Sequence, residues 1–69
     1  MIYTGKIIKE ERLQKKMSQR NLAEVLGVTQ DSVSLWEKGK RLPATEHIIA
    51  LCKYFGISAD YLLGLDKTK

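Results

Sequence analysis

The stretch Leu22-Ala23-Glu24-Val25-Leu26-Gly27-Val28-Thr29-Gln30-Asp31-Ser32-Val33 decides the fold. Gly27 stands where a helix ends in a left-handed residue, a conformation other side chains adopt only at a cost. Thr29 follows two residues later, between Val28 and Val33. Its hydroxyl is placed to accept from the free amides of a new first turn, while the flanking apolar pair staples the entry angle. Gly27-Val28-Thr29 alone is too short for an easy antiparallel return, so the two helices it joins are expected to cross steeply. Close crossing needs a small residue at the contact, and Ala23 supplies one a turn before the glycine. Val33, one turn into the second helix, is expected to pack behind the corner.

The same start grammar recurs at Met17-Ser18-Leu22 and at Ile57-Ser58-Leu62, the latter again preceded by a glycine, Gly56. Each cap is worth about 1 kcal/mol. The likeness of Leu22–Asp31 to Leu51–Asp60 reflects this stop-and-start grammar used twice rather than an internal repeat. No stretch alternates apolar and polar residues as a strand does, so an all-α, compact five-helix bundle is expected. The helices are predicted at about 5–16, 19–26, 30–38, 45–55 and 59–64. Gly39 to Pro43 is read as a loop, since Pro43 restricts Leu42 to extended geometry. The fourth helix has the weakest start: Ala44 offers no cap, leaving Thr45 to cap late or the first amides to face water. The whole of 1–69 reads as one domain, with a motif over 18–38 and a short polar tail at 66–69.

Sixty-nine residues hold one core and leave little room for an enclosed substrate cavity, because a chain this short buries only about 60% of its unfolded surface. No nucleophile sits near a plausible base, and Glu10 and Glu11 diverge by about 100° on a helix. Catalysis is not expected. One cysteine, Cys52, and one histidine, His47, supply too few ligands for a metal site. No cofactor or small-molecule ligand is implied. Cys52 is expected to be a small buried group and His47 to be exposed. The longest uncharged apolar run, Ile48 to Cys52, is far short of the roughly 20 residues that span a bilayer. A cytoplasmic chain with no membrane partner is expected.

The charge is uneven. Net charge is +4, and residues 1–20 carry all of the excess: Lys6, Lys9, Arg12, Lys15, Lys16 and Arg20 against Glu10 and Glu11. Such an excess fits either a polyanionic partner or a solvated helix face.

The run Ser18-Gln19-x-x-Leu22-Ala23-x-x-Leu26-Gly27-Val28-Thr29-Gln30-x-x-Val33-Ser34-x-Trp36-Glu37-x-Gly39, then Pro43, Leu51 and Phe55-Gly56-Ile57-Ser58-x-Asp60-x-Leu62, resembles the Cro/repressor helix-turn-helix family of bacterial and phage regulators, also called XRE-like. The resemblance covers nearly the whole chain. It implies a lambda-repressor-like domain with its helix-turn-helix on the second and third helices, bound to double-stranded DNA. The third helix would lie in the major groove, usually from a two-fold dimer.

On the third helix, Val33, Trp36 and Glu37 share the side expected to face the core. Gln30, Asp31, Ser34, Leu35 and Lys38 take the other. The resemblance makes Gln30 and Ser34 base readers, and Gln30 has the side chain to pair with adenine N6 and N7. Asp31 departs from the family pattern. It suits a helix N-terminus or accepts from cytosine N4. Leu35 departs too, being either a plain surface leucine or a contact to a thymine methyl. Phosphate contacts are expected from Gln19 at the start of the second helix, from Arg20, and from Lys38, Lys40 and Arg41 after the recognition helix. Arg12 shares a stripe with Gly5 and Ile8 and would be costly to bury alone, as would Glu37, so the two are expected to pair. The resemblance implies the same bridge beneath the recognition helix.

The last two helices carry more apolar residues than a small core needs. Tyr61, Leu62, Leu63 and Leu65 are the expected homodimer patch, the other reading being a fifth helix that closes the monomer. The function expected is a sequence-specific transcriptional repressor on a palindromic operator, nucleoid-associated or phage-encoded. The alternative is a protein-interaction module, such as an antitoxin or anti-repressor, with secondary DNA binding.

Overall fold

The computed structural model describes residues 3–69. Five helices follow one another: α1 (Thr4–Gln14), α2 (Gln19–Leu26), α3 (Gln30–Glu37), α4 (Thr45–Phe55) and α5 (Ala59–Leu62). Among the described residues there is no strand. The three hydroxyl caps act as read: Ser18, Thr29 and Ser58 accept from the backbone N–H groups of Asn21, Ser32 and Tyr61. Asn21 returns the favour to the Ser18 amide, closing a capping box. Gly27 and Gly56 end α2 and α4 at φ of 70° and 69°. Ala44 precedes α4 with no side-chain cap, and the helix starts at Thr45.

Two helix ends fall two residues short of expectation. α1 stops at Gln14, because Lys16 turns into the left-handed region at φ 57° and the Met17 amide bonds back to the Arg12 carbonyl at 3.1 Å. A stop without glycine leaves no mark in the sequence. α5 closes at Leu62, where the Gly64 amide reaches the Tyr61 carbonyl and the chain turns away at φ 79°.

The core draws on every helix: Ile8, Leu22, Val33, Leu51 and Leu62 are fully buried, with Ala23 and Trp36 close behind. Leu62 therefore corrects the expected dimer patch. It closes the monomer and has no surface to offer a partner. His47 is half-buried rather than exposed, its ring tilted 5.5 Å from that of Trp36. Cys52 is half-buried against the core, and desolvation raises its thiol pKa. The expected polar tail is folded back: the Lys69 ammonium lies 2.7 Å from a Glu11 carboxylate oxygen.

Gly5 sets how closely α1 approaches α3. A Cβ there would stand 2.1 Å from the Trp36 carbonyl oxygen and 2.9 Å from that of Glu37, both backbone atoms that cannot swing aside. At Gly27 the case is different, since a Cβ would meet nothing within 4 Å and only the left-handed backbone is at issue. Gly27→Ala should therefore cost about 1–2 kcal/mol. Gly5→Ala should cost more, about 3 kcal/mol, because two helices must move apart. Urea denaturation of both variants checks the order.

Candidate nucleic-acid interface

The corner between α2 and α3 is tied by the Val28 amide to the Ala23 carbonyl at 3.0 Å and by the Gly27 amide to that of Glu24 at 3.3 Å. With the chain locked at this turn, α3 buries Val33 and Trp36 and turns its other side outward. Gln30, Asp31 and Lys38 are exposed, while Ser34 and Leu35 are half-buried at the edge of that face. Lys40 and Arg41 follow in the exposed loop. The side-chain oxygens of Thr29 and Ser32 are 3.1 Å apart, close enough for one hydroxyl to donate to the other. Ser32 also lines a shallow hollow with Trp36, Arg41, Leu42, Ala44 and His47. Its place at this edge was not foreseen, because the position three after a cap looks purely structural.

Beneath α3, the side chain of Glu37 is 4% exposed and that of Arg12 9%. Arg12 Nε donates to Glu37 Oε2 at 2.7 Å and Nη2 to Oε1 at 3.0 Å, the two-pronged geometry that favours arginine over lysine. The remaining Nη1 donates to the Met17 carbonyl at 2.7 Å. The bond to Glu37 raises the Arg12 pKa, outweighing the opposing effect of burial. The expected ion pair is therefore present, and it reaches further than expected. Arg12 also holds the α1–α2 turn.

Gln19 joins the same carboxylate, donating from Nε2 to Glu37 Oε1 at 3.1 Å. Its side chain is thus fixed across the start of α2, with one Nε2 hydrogen and the side-chain oxygen uncommitted among the described residues. Neither charge nor apolar spacing signals this contact, because the two residues meet only through the crossing of α2 and α3. Arg20 stands apart from the cluster, exposed and 3.9 Å from Glu24 within α2, a surface pairing of little energetic weight. Gln19, Gln30, Asp31, Ser34, Leu35 and the Lys38–Arg41 bases thus belong to the α2–α3 unit and the loop that follows it.

Two short helices, a left-handed glycine turn and a buried ion pair under the second helix define a helix-turn-helix protein. The helix-turn-helix family model matches residues 8–62, and the chain belongs to this Cro/C1-type, XRE-like family. It is 38% identical over 56 residues to the uncharacterised HTH-type transcriptional regulator YqaE of Bacillus subtilis, covering 81% of this chain and 48% of that protein. It is 36% identical over 59 residues to repressor protein C2 of Salmonella phage P22, covering 86% of this chain and 27% of the repressor. The crystal structure of the P22 c2 repressor with a synthetic operator superposes with a TM-score of 0.85 at 35% identity, over 91% of this chain and 96% of that one. The chain spans half or less of the length of these curated relatives. No helix among the described residues is long and apolar enough to cross a membrane.

Removing one member of the Arg12–Glu37 pair strands the other in a nearly water-free site. Glu37→Ala should cost about 3 kcal/mol. Arg12→Leu with Glu37→Leu should cost less than the single change, since neither charge is then orphaned. Chemical denaturation of the single and double variants measures both.

Proposed function

We propose that this chain is a sequence-specific, double-stranded DNA-binding transcriptional regulator, a repressor that acts as a homodimer on a palindromic operator in the cytoplasm, nucleoid-associated or phage-encoded. The observation that carries this reading is the outward edge of α3. Its polar N-terminal residues are exposed, its inner side is anchored through Glu37 to Arg12, and basic residues follow directly at Lys38, Lys40 and Arg41. The likeness to a phage repressor solved with its operator supports it.

In this reading α3 enters the major groove. Gln30 pairs with adenine, Ser34 bonds to a base edge, Asp31 accepts from cytosine N4 and Leu35 covers a thymine methyl. Gln19 meets a phosphate with its free amide hydrogen and the N-terminus of α2. Arg20, Lys38, Lys40 and Arg41 neutralise phosphates on either side.

For the homodimer, Leu63 lines an apolar groove of about 410 Å³ with Leu42, Pro43, Ile48, Ile49 and Ala59. Leu42, Ile49 and Leu63 are 58%, 51% and 43% exposed. Leu65 is exposed beyond α5, whereas Tyr61 belongs to another surface, facing Tyr3 and Ile7. The second copy is therefore assigned to the Leu42–Ile49–Leu63 side. Two docked copies present their α3 helices to half-sites about 34 Å apart.

Selection of bound duplexes from a random pool should return a two-fold site. Gln30→Ala should then cost about 1–3 kcal/mol on that site and almost nothing on random DNA, whereas Arg41→Ala should weaken all duplexes alike and lower the salt slope by about 1. Equal losses on both kinds of DNA for Gln30→Ala would refute its assigned role. Leu63→Glu should weaken self-association, read by sedimentation, and leave the monomer folded.

A further inference from the structure

α5 is a single turn, far too short to persist by its own helical preference. Leu62 anchors its inner side in the core. A second hold comes from residues 66–69. The Thr68 amide donates to Asp66 Oδ1 at 2.9 Å, turning the chain back, and a main-chain oxygen of Lys69 then accepts from the Ser58 amide at 2.9 Å. Ser58 is the residue that caps α5.

The side chain of Lys69 adds a further hold. Its ammonium lies 2.7 Å from Glu11 Oε2 and 5.8 Å from the centre of the Tyr61 ring. Glu11 sits on the inner side of α1 with its side chain 8% exposed. Among the described residues, Lys69 is the one cation bridged to this carboxylate. A carboxylate so deep is costly without a counter-charge. The ring face adds a second attraction for the same ammonium.

We propose that residues 66–69 form a lysine-keyed latch, in which Lys69 fills a socket made by Glu11 and Tyr61 and so pins Ser58 and α5 against α1. The Lys69 side chain is 48% exposed, so the key is reachable from solvent, while the Glu11 side chain beneath it is buried. The bond to Glu11 raises the Lys69 pKa above its ordinary value, as a filled socket requires. Opening the latch frees the Ser58 amide and widens the hollow of about 470 Å³ where Tyr61 faces Tyr3 and Ile7. The consequence for assembly rests on the proposed homodimer: Ala59 and Leu63, one turn apart, wall the groove assigned to the second copy, so a loosened α5 loosens that wall.

Amide hydrogen exchange on the DNA-free chain tests the latch, with the Val33 amide reporting global opening. Lys69→Gln and Glu11→Gln should each speed Ser58 exchange about tenfold relative to Val33, and the double variant should go no further than either single one. Lys69→Arg should keep Ser58 slow. Unchanged Ser58 exchange in Lys69→Gln would overturn the latch. The readout is separate from the dimer reading, because Leu63→Glu tests the groove by self-association while leaving Glu11 and Lys69 in place.

Discussion

One carboxylate organises the half of this molecule that carries α2 and α3. Glu37 lies at the end of α3 and receives three donors, two from Arg12 in α1 and one from Gln19 in α2. Three helices therefore meet on a single buried charge. Such a site tolerates little displacement, since an ion pair out of water offsets its desolvation only when its hydrogen bonds are well aligned. Its value here is orientational more than energetic. An apolar contact would let α3 slide or rotate against α1, whereas a two-pronged arginine bond defines one position. The third arginine nitrogen extends that definition to the α1–α2 turn through the Met17 carbonyl.

The contact at Gly5 works with the ion pair. Backbone carbonyls of Trp36 and Glu37 occupy the space a side chain would need, so α1 approaches the C-terminal end of α3 at backbone distance. That approach brings Arg12, two turns further along α1, within reach of Glu37. The pair and the glycine are thus two parts of one docking arrangement. The N-terminal end of α3 carries the exposed Gln30 and Asp31.

The far side of the domain follows a different logic. α5 depends on a single core leucine and on a segment that returns to cap its start. Its other face completes an open apolar groove with α4 and the loop after α3. A firmly held α3 and a lightly held α5 suit the proposed function. Base reading needs fixed side chains, while an interface made by a short helix responds to small changes in what holds it.

Local grammar determined most of the element pattern, because caps and left-handed glycines act over three or four residues: Ser18, Thr29, Ser58, Gly27 and Gly56 all do what their neighbours predict. Helix period assigned Val33 and Trp36 inward and Gln30 outward for the same reason. The pairing of Arg12 with Glu37 was legible from the cost of burying either alone. Tertiary structure alone decided the rest. Gly5 resembles any glycine near a helix start until α3 is laid across it, and Gln19 meets Glu37 only through the angle of the corner. Leu62 and Leu63 differ by 100° of helix rotation, and which of them faced the core depended on where the short α5 docked. The tail shows the limit most plainly, since the destination of Lys69 was set by a carboxylate on α1, distant in sequence and adjacent only after folding.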